Sequence, residues 1–332
     1  MKYRLLICLL VVTVVRPAAA GQKEKIQFAS VGGRPVAYHV LGNAAGAPLL
    51  FINGGPGFDH SFHHLSPVWE RLAASRRVVF FDQPGTGQSW PVGPEDLISI
   101  AEFLDSIEAV RKALNAPRMV LMGHSWGGYL AMRYAVRQPA NVEAMILVDS
   151  VAAKIASTEF LFGALFPDIA VQLRGLRAED PEAVQKYIRL TTAMSFYSPE
   201  IRDRIVGAMG RVEYNSRLEV LEKEAEAHDL TAELKALAMP VLVTTGRFDA
   251  NVSPRTAWTL HQAIPRSKFV VFERSGHFPM LEEPEAFVTA IEQFLRQPRL
   301  HDGLKGVPGV NYVDRGFSRL RTNLTEHSHH CE

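Results

Sequence analysis

Cysteine and long apolar runs are both scarce in this chain. Its 332 residues contain 2 cysteines, Cys8 and Cys331. The apolar run from Leu5 to Val15 has 11 residues, whereas a membrane-spanning helix needs about 20. The sequence therefore predicts no stable membrane span in the mature protein.

The first 20 residues have the three regions of a secretory signal peptide. Met1-Lys2-Tyr3-Arg4 carries positive charge, the apolar run follows, and Ala18-x-Ala20 is a small-residue cleavage site. Cleavage there makes Gly21 the first mature residue and predicts a secreted or periplasmic protein. It also removes Cys8, so the mature chain has one cysteine and cannot form a disulfide within itself.

An excess of charge of either sign is also missing. Loss of Lys2, Arg4 and Arg16 with residues 1–20 lowers the number of basic residues from 36 to 33, against 35 acidic residues. A near-neutral chain without basic blocks has no electrostatic footprint for nucleic acid, so we expect no such partner. The remaining 312 residues suffice for one large domain with an insertion.

Short apolar runs alternate with helical patterns through most of the chain, which predicts an α/β fold. A hairpin, 25–28 with 35–41, precedes runs typical of parallel strands covered on both faces. These runs are 48–52, 77–81, 118–122, 142–148, 240–245 and 268–272. Residues 151–235 form amphipathic helices without a strand pattern, which predicts a helical cap over the core of 21–150 and 236–297. Residues 298–332 lack periodicity, so we expect an extended or disordered tail.

A glycine-flanked serine, Gly123-His124-Ser125-Trp126-Gly127, joins a predicted strand to a predicted helix. This is the nucleophile elbow pattern in its required context. A serine at such a sharp turn lifts its hydroxyl clear of the sheet only if the flanking glycines have no side chains to clash. Ser125 is therefore the candidate nucleophile, and the N–H of Trp126 at the helix start is a candidate oxyanion donor.

The loop Asn53-Gly54-Gly55-Pro56-Gly57 follows another predicted strand. Three glycines and a proline in five residues indicate a fixed loop whose backbone approaches something closely. We expect the N–H of Gly55 to be the second oxyanion donor, with a plain tight turn as the alternative.

A serine hydroxyl needs a base oriented by a buried acid. Asp249 and His277 each follow a predicted strand, and the chain order Ser125, Asp249, His277 fits this requirement. Asp149, which follows the strand at 142–148, is the rival acid. Such chemistry uses no cofactor or metal ion, so we expect none.

Two groups of histidines could ligate a metal ion, but we expect neither to do so. His327, His329, His330 and Cys331 stand in the tail, where nothing nearby would hold ligands rigidly. His60, His63 and His64 are expected to be loop and helix-start residues near the mouth of the pocket.

These motifs, together with Asp82-Gln83 and the glycines that follow it, resemble the α/β-hydrolase superfamily and, within it, the proline iminopeptidase family. The likeness runs from about Ile26 to Phe294. It implies a mostly parallel central sheet with helices on both faces and a helical cap. For the family it implies a serine peptidase that removes an N-terminal residue, often proline, with acidic cap residues binding the free amino group.

Four positions depart from that family's pattern: Asn53, Pro84, His124 and Ala250. Glu213 is the best cap candidate for an ammonium partner. Because of the departures we favour a carboxylesterase-like enzyme acting on a small ester, amide or short peptide. A proline iminopeptidase-type aminopeptidase and a non-catalytic ligand-binding relative remain as alternatives.

Overall fold

The computed structural model describes residues 25–93, 96–174, 176, 180–208, 213–296 and 309–312. The expected signal peptide and most of the expected tail lie outside these described residues. Within them, no helix is long and apolar enough to cross a bilayer.

A nine-stranded sheet forms the centre of the described chain. The strands are β1 Gln27–Val31, β2 Arg34–Leu41, β3 Leu49–Ile52, β4 Val78–Phe81, β5 Met119–His124, β6 Val142–Val148, β7 Val241–Gly246, β8 Ser267–Phe272 and β9 Val310–Tyr312. Their order in the sheet is β1-β2-β4-β3-β5-β6-β7-β8-β9. Strands β3 to β8 pair in parallel, whereas β1 with β2, β2 with β4, and β8 with β9 are antiparallel. The mostly parallel α/β-hydrolase sheet expected from the sequence is confirmed.

Helices cover both faces of this sheet because its strands are apolar on both sides. In β3, Leu50 and Ile52 pack into one hydrophobic core, and Leu49 and Phe51 pack into the other. Alternate residues of a strand point to opposite faces, so a continuous apolar run needs a layer on each side. The helices of the α/β core are α1 Val68–Ala73, α2 Ile100–Ala113, α3 Trp126–Arg137, α10 Pro254–Ala263, α11 Pro279–Glu282 and α12 Pro284–Arg296.

A helical insertion lies between β6 and β7. In the described residues it contains α4 Phe162–Leu165, α5 Pro167–Arg174, α6 Pro181–Ala193, α7 Pro199–Ala208, α8 Val220–Glu226 and α9 Thr231–Leu234. Backbone hydrogen bonds tie it to loops that follow the parallel strands: Asn215 N–H donates to Gly57 at 2.9 Å, and Leu161 N–H to Ala250 at 3.0 Å. The insertion therefore covers the edge of the sheet where ligands bind in open α/β folds.

Two local features differ from the sequence expectations. In the stretch where the sequence predicts amphipathic helices, the segment from residue 215 to 227 begins with the 3-10 turn Ser216–Glu219 before α8. Strand β9 lies in the segment for which the sequence predicted no strand, and it pairs with the β8 edge, Asn311 opposite Val271. Three residues are too few for a period-2 pattern, so only the partner strand reveals β9.

Candidate active site

Ser125 stands at a strained turn between β5 and α3. Its φ of 54° and ψ of −120° lie outside the regions that side-chain-bearing residues favour. A Cβ built on Gly127 would lie 2.0 Å from the carbonyl oxygen of Ile52, and one on Gly123 would lie 2.4 Å from that of Gly127. Only glycine fits at both flanking positions, so the elbow has the geometry that the sequence predicted. Backbone strain of this kind costs about 1–3 kcal/mol and is concentrated at functional sites.

His277 and Asp249 form a buried hydrogen-bonded pair. Nδ1 of His277 lies 2.7 Å from Oδ2 of Asp249, and the two residues are 4% and 1% exposed. The other carboxylate oxygen, Oδ1, accepts the N–H groups of Asn251 and Val252 at 2.8 and 3.0 Å. The carboxylate is thereby fixed in place, and because it accepts from Nδ1–H, it leaves Nε2 of His277 able to act as a base.

The rival acid, Asp149, lies beside this pair rather than apart from it. A ligand oxygen of Asp149, one of Asp249 and a ring nitrogen of His277 are all within 4.8 Å of one another. Oδ1 of Asp149 accepts the N–H of Gly246 at 2.8 Å, and the residue is fully buried. Burial raises the pKa of Asp149 well above its usual range, and the nearby Asp249 charge raises it further. The raised pKa favours the neutral acid form of Asp149. Of the two acids, Asp249 is the one hydrogen-bonded to the ring of His277.

The residue before the nucleophile contacts the loop of the candidate base. His124 Nε2 lies 2.8 Å from the carbonyl oxygen of His277, and the two rings are 4.6 Å apart. Burial lowers the pKa of His124 well below 6.5, so its imidazole is neutral. Since a carbonyl can only accept, His124 carries the proton on Nε2. The sequence marked His124 only as a departure from the resembled family, and its partner could not be read from the chain.

The glycine loop after β3 lies against the nucleophile. A Cβ on Gly54 would be 3.0 Å from Cβ of Ser125, and both Gly54 and Gly55 line the same cavity as Ser125. Asn53, which departs from the family's pattern, holds this loop through its amide, which donates to the carbonyl oxygens of Gly54 and Phe58 at 3.0 and 2.8 Å. The backbone close approach expected of this loop is present.

A cavity of about 330 Å³ lies between the strand-end loops and the helical insertion. Ser125 and His277 both line it, together with an aromatic wall. The wall consists of Phe58, Phe62, Phe160, Phe162, Tyr187 and Phe278. His63, His124, Thr191, Thr192, Ser195 and Asn251 contribute polar groups. The candidate nucleophile therefore faces a mainly aromatic space of small-molecule size.

Glu213 does not belong to this wall. It is exposed and does not line the cavity, so the structure does not bring it together with Ser125. Asp59 is the one carboxylate among the described residues that line the cavity. Its Oδ1 accepts both the N–H and the hydroxyl of Ser61, at 3.0 and 2.6 Å. Sequence reasoning missed Asp59, although it follows the glycine loop by two residues; Glu213 was chosen because it stood in the expected cap.

Comparison with known proteins assigns the chain to a family. Residues 47–284 match the family model described as alpha/beta hydrolase fold, so the chain belongs to that family. Individual proteins of known activity also match the chain in sequence. The chain is 29% identical over 297 residues to a proline iminopeptidase of Heyndrickxia coagulans, with 81% of this chain and 97% of that protein covered.

A second relative has a different activity in its name. The chain is 28% identical over 247 residues to a pimeloyl-[acyl-carrier protein] methyl ester esterase of Neisseria meningitidis serogroup B, which covers 74% of this chain and 92% of that protein. Among solved structures, an alpha/beta fold family hydrolase of Bacillus anthracis strain Sterne matches with a TM-score of 0.67 at 20% identity, over 80% of this chain and 97% of that one. The chain is therefore a hydrolase of the α/β fold, with peptidase and esterase relatives.

Proposed function

We propose that this protein hydrolyses an ester or amide bond of a small molecule or short peptide through an acyl-enzyme on Ser125. His277 takes the serine proton and later passes it to the leaving group. Asp249 holds the imidazole tautomer and stabilises its cation. The N–H groups of Gly55 and Trp126 stabilise the oxyanion.

Within this class we propose a carboxylesterase-like preference for an apolar acyl group. The observation that carries it is the aromatic wall around Ser125. Burial of apolar surface against such a wall contributes about 25 cal/mol per Å². A charged ammonium group would lose its hydration there and needs a carboxylate partner to offset that cost.

One observation favours the aminopeptidase alternative, namely Asp59 in the cavity wall. Both donors from Ser61 bind Oδ1, so among the described residues Oδ2 is left to meet a substrate ammonium. The proline iminopeptidase relative points the same way. In this alternative Asp59, rather than Glu213, binds the free amino terminus.

We also propose that the enzyme acts outside the cytoplasm, as the pattern of residues 1–20 indicates. N-terminal sequencing of the protein recovered from its native host tests this proposal. A first residue of Gly21 supports it, and an intact Met1 contradicts it.

A three-substrate panel tests the activity. It compares kcat/KM for a short-chain aryl ester, a free aminoacyl arylamide and the same arylamide acetylated on nitrogen, with Ser125→Ala as the blank. The proposal expects the ester to be cleaved best. A preference of 100-fold or more for the free over the acetylated amine would establish the aminopeptidase alternative, and no turnover of any substrate would favour a non-catalytic ligand-binding relative.

A further inference from the structure

Three histidines outside the cavity bring their ring nitrogens together. His39 lies in β2, His60 directly precedes the 3-10 turn Ser61–Leu65, and His64 lies within that turn. Nε2 of His39 is 2.7 Å from Nε2 of His60, and Nε2 of His64 is 2.8 Å from Nδ1 of His60. One ring nitrogen from each of the three lies within 4.8 Å of the other two. We name these three residues the outer histidine cluster.

The sequence does not predict this cluster, because His39 is distant in the chain from the other two members. His60 and His64 were expected to be loop and helix-start residues, and the turn places both rings on the same side. His39 comes from a strand 21 residues earlier, and its ring centroid is 4.5 Å from that of His60. All three rings pack on Phe80, so the neighbouring strand β4 fixes their positions.

A buried carboxylate completes the arrangement. Oδ1 of Asp82 lies 3.2 Å from Nε2 of His60, and the two side chains are 11% and 8% exposed. Oδ2 of Asp82 accepts the N–H of Gln88 at 2.8 Å, which fixes the carboxylate. Carboxylates that contact a ligating histidine are the usual outer partners of metal sites, where they fix the orientation of the imidazole.

We propose that the outer histidine cluster binds one divalent transition-metal ion, for which Zn²⁺ is the test ion, with Asp82 orienting His60. Three imidazole ligands, with Asp82 as the outer carboxylate, form a donor set that suits zinc, nickel or copper rather than calcium or magnesium. Asp82 contacts Nε2 of His60, so His60 would bind the ion through Nδ1, the nitrogen that already faces His64. Zn–N bonds of about 2.1 Å in a tetrahedral site place ligand nitrogens about 3.4 Å apart, so His64 must move back by several tenths of an ångström. His39, which now faces Nε2 of His60, must turn toward the ion. His39 and His64 are only partly buried, which gives the ion a route in from solvent.

A bound ion would affect the position of the cavity wall and not the reaction at Ser125. The segment that carries His60 and His64 also contains Asp59, Phe62 and His63, which line the cavity. An ion that ties His60 and His64 to His39 would anchor this segment to β2. The proposal does not depend on the activity of Ser125.

Zinc binding to the untagged full chain tests the site, measured by calorimetric titration with ZnCl₂. The test variant is His39→Gln with His64→Gln, which removes two ligands at partly exposed positions. The matched control is His228→Gln, an exposed histidine in the insertion. A second control replaces His327, His329 and His330 with glutamine, because these tail residues could bind zinc on their own.

The proposal expects one zinc site that survives both controls and weakens at least 100-fold in the double variant. It also expects zinc to raise the melting temperature of the wild type and of both controls, but not that of the double variant. Unchanged binding in the double variant, or loss of all binding in the tail variant, overturns the proposal. If the double variant does not fold, the single His64→Gln variant decides by Co²⁺ absorption: a visible band that weakens relative to wild type supports the site, and an unchanged band overturns it.

Discussion

Nε2–H of His124 donates a hydrogen bond to the carbonyl oxygen of His277 at 2.8 Å, so the residue before the candidate nucleophile holds the loop of the candidate base. The N–H of His277 is bonded in turn to the carbonyl oxygen of Ser195 in the insertion, at 2.7 Å. Both polar groups of the His277 peptide backbone are therefore satisfied by residues distant in sequence. This is how the elbow, the base loop and the insertion are held in one arrangement.

Replacement of His124 by phenylalanine should destabilise the protein by about 1–3 kcal/mol, since it leaves the buried carbonyl of His277 without its donor. His124→Gln should recover part of the loss because its amide can donate. The measurement is the free energy of unfolding from urea titration, with His228→Phe as the exposed control. An equal loss in the Phe and Gln variants would show that ring volume, and not the hydrogen bond, matters.

The two acids should differ strongly in their effect on turnover. Asp249→Asn should lower kcat on the best substrate on the order of 10⁴-fold, because the amide no longer holds the required imidazole tautomer. Asp149→Asn should change kcat little, since the raised pKa of Asp149 favours the neutral acid form, which asparagine resembles. Initial rates with one aryl ester are sufficient. The reverse ranking would make Asp149 the acid of the triad.

Asp149 should also make stability depend on pH. Its folded pKa is raised above the ordinary 3.8, so the folded state holds a proton that the unfolded chain has released. The stability that Asp149 contributes in its protonated form is fully present below pH 3.8. It is lost as pH rises through the folded pKa, and the free energy of unfolding falls by up to about 1.4 kcal/mol per pH unit. Asp149→Asn should remove this part of the slope of unfolding free energy against pH. The exposed Asp168→Asn variant is the control, and identical slopes for both variants would contradict the assignment.

Any preference for a free amino terminus should depend on Asp59. Asp59→Asn should bring the ratio of kcat/KM between free and acetylated arylamides close to one, because the ammonium group needs the carboxylate charge. Ester hydrolysis should stay within about threefold of the wild-type rate, because the ester has no ammonium group. Glu213→Gln, at an exposed position outside the cavity wall, is the matched control and should leave the ratio unchanged. Loss of the ratio in Glu213→Gln alone would return the ammonium site to the cap residue that the sequence favoured.

The parallel sheet and the strand-end positions of Ser125, Asp249 and His277 were predictable because local patterns determine them. Continuous apolar runs indicate strands covered on both faces. Gly123 and Gly127 indicate a turn too tight to hold a side chain at either position. Loops that follow parallel strands meet at one edge of the sheet, so the positions of these three residues after predicted strands were enough to predict that they lie together.

The remaining features depend on contacts between segments that are distant in sequence. Asp59, in the loop after β3, lines the cavity, whereas Glu213, in the insertion, is exposed and does not. His39 meets His60 because His39 pairs with Phe80 of β4 and the ring of His60 packs on the same phenylalanine. Neither relationship leaves a periodicity or a motif in the chain.

Turnover of the best substrate by Ser125→Ala tests the central proposal most directly, because the Ser125 hydroxyl is the group proposed to form the acyl-enzyme. The account predicts a folded variant, with the circular dichroism spectrum of the wild type, whose kcat is lower by about three orders of magnitude or more, and a similar loss for His277→Ala. A Ser125→Ala variant that retained more than about a tenth of wild-type kcat would contradict the assignment of Ser125 as the nucleophile.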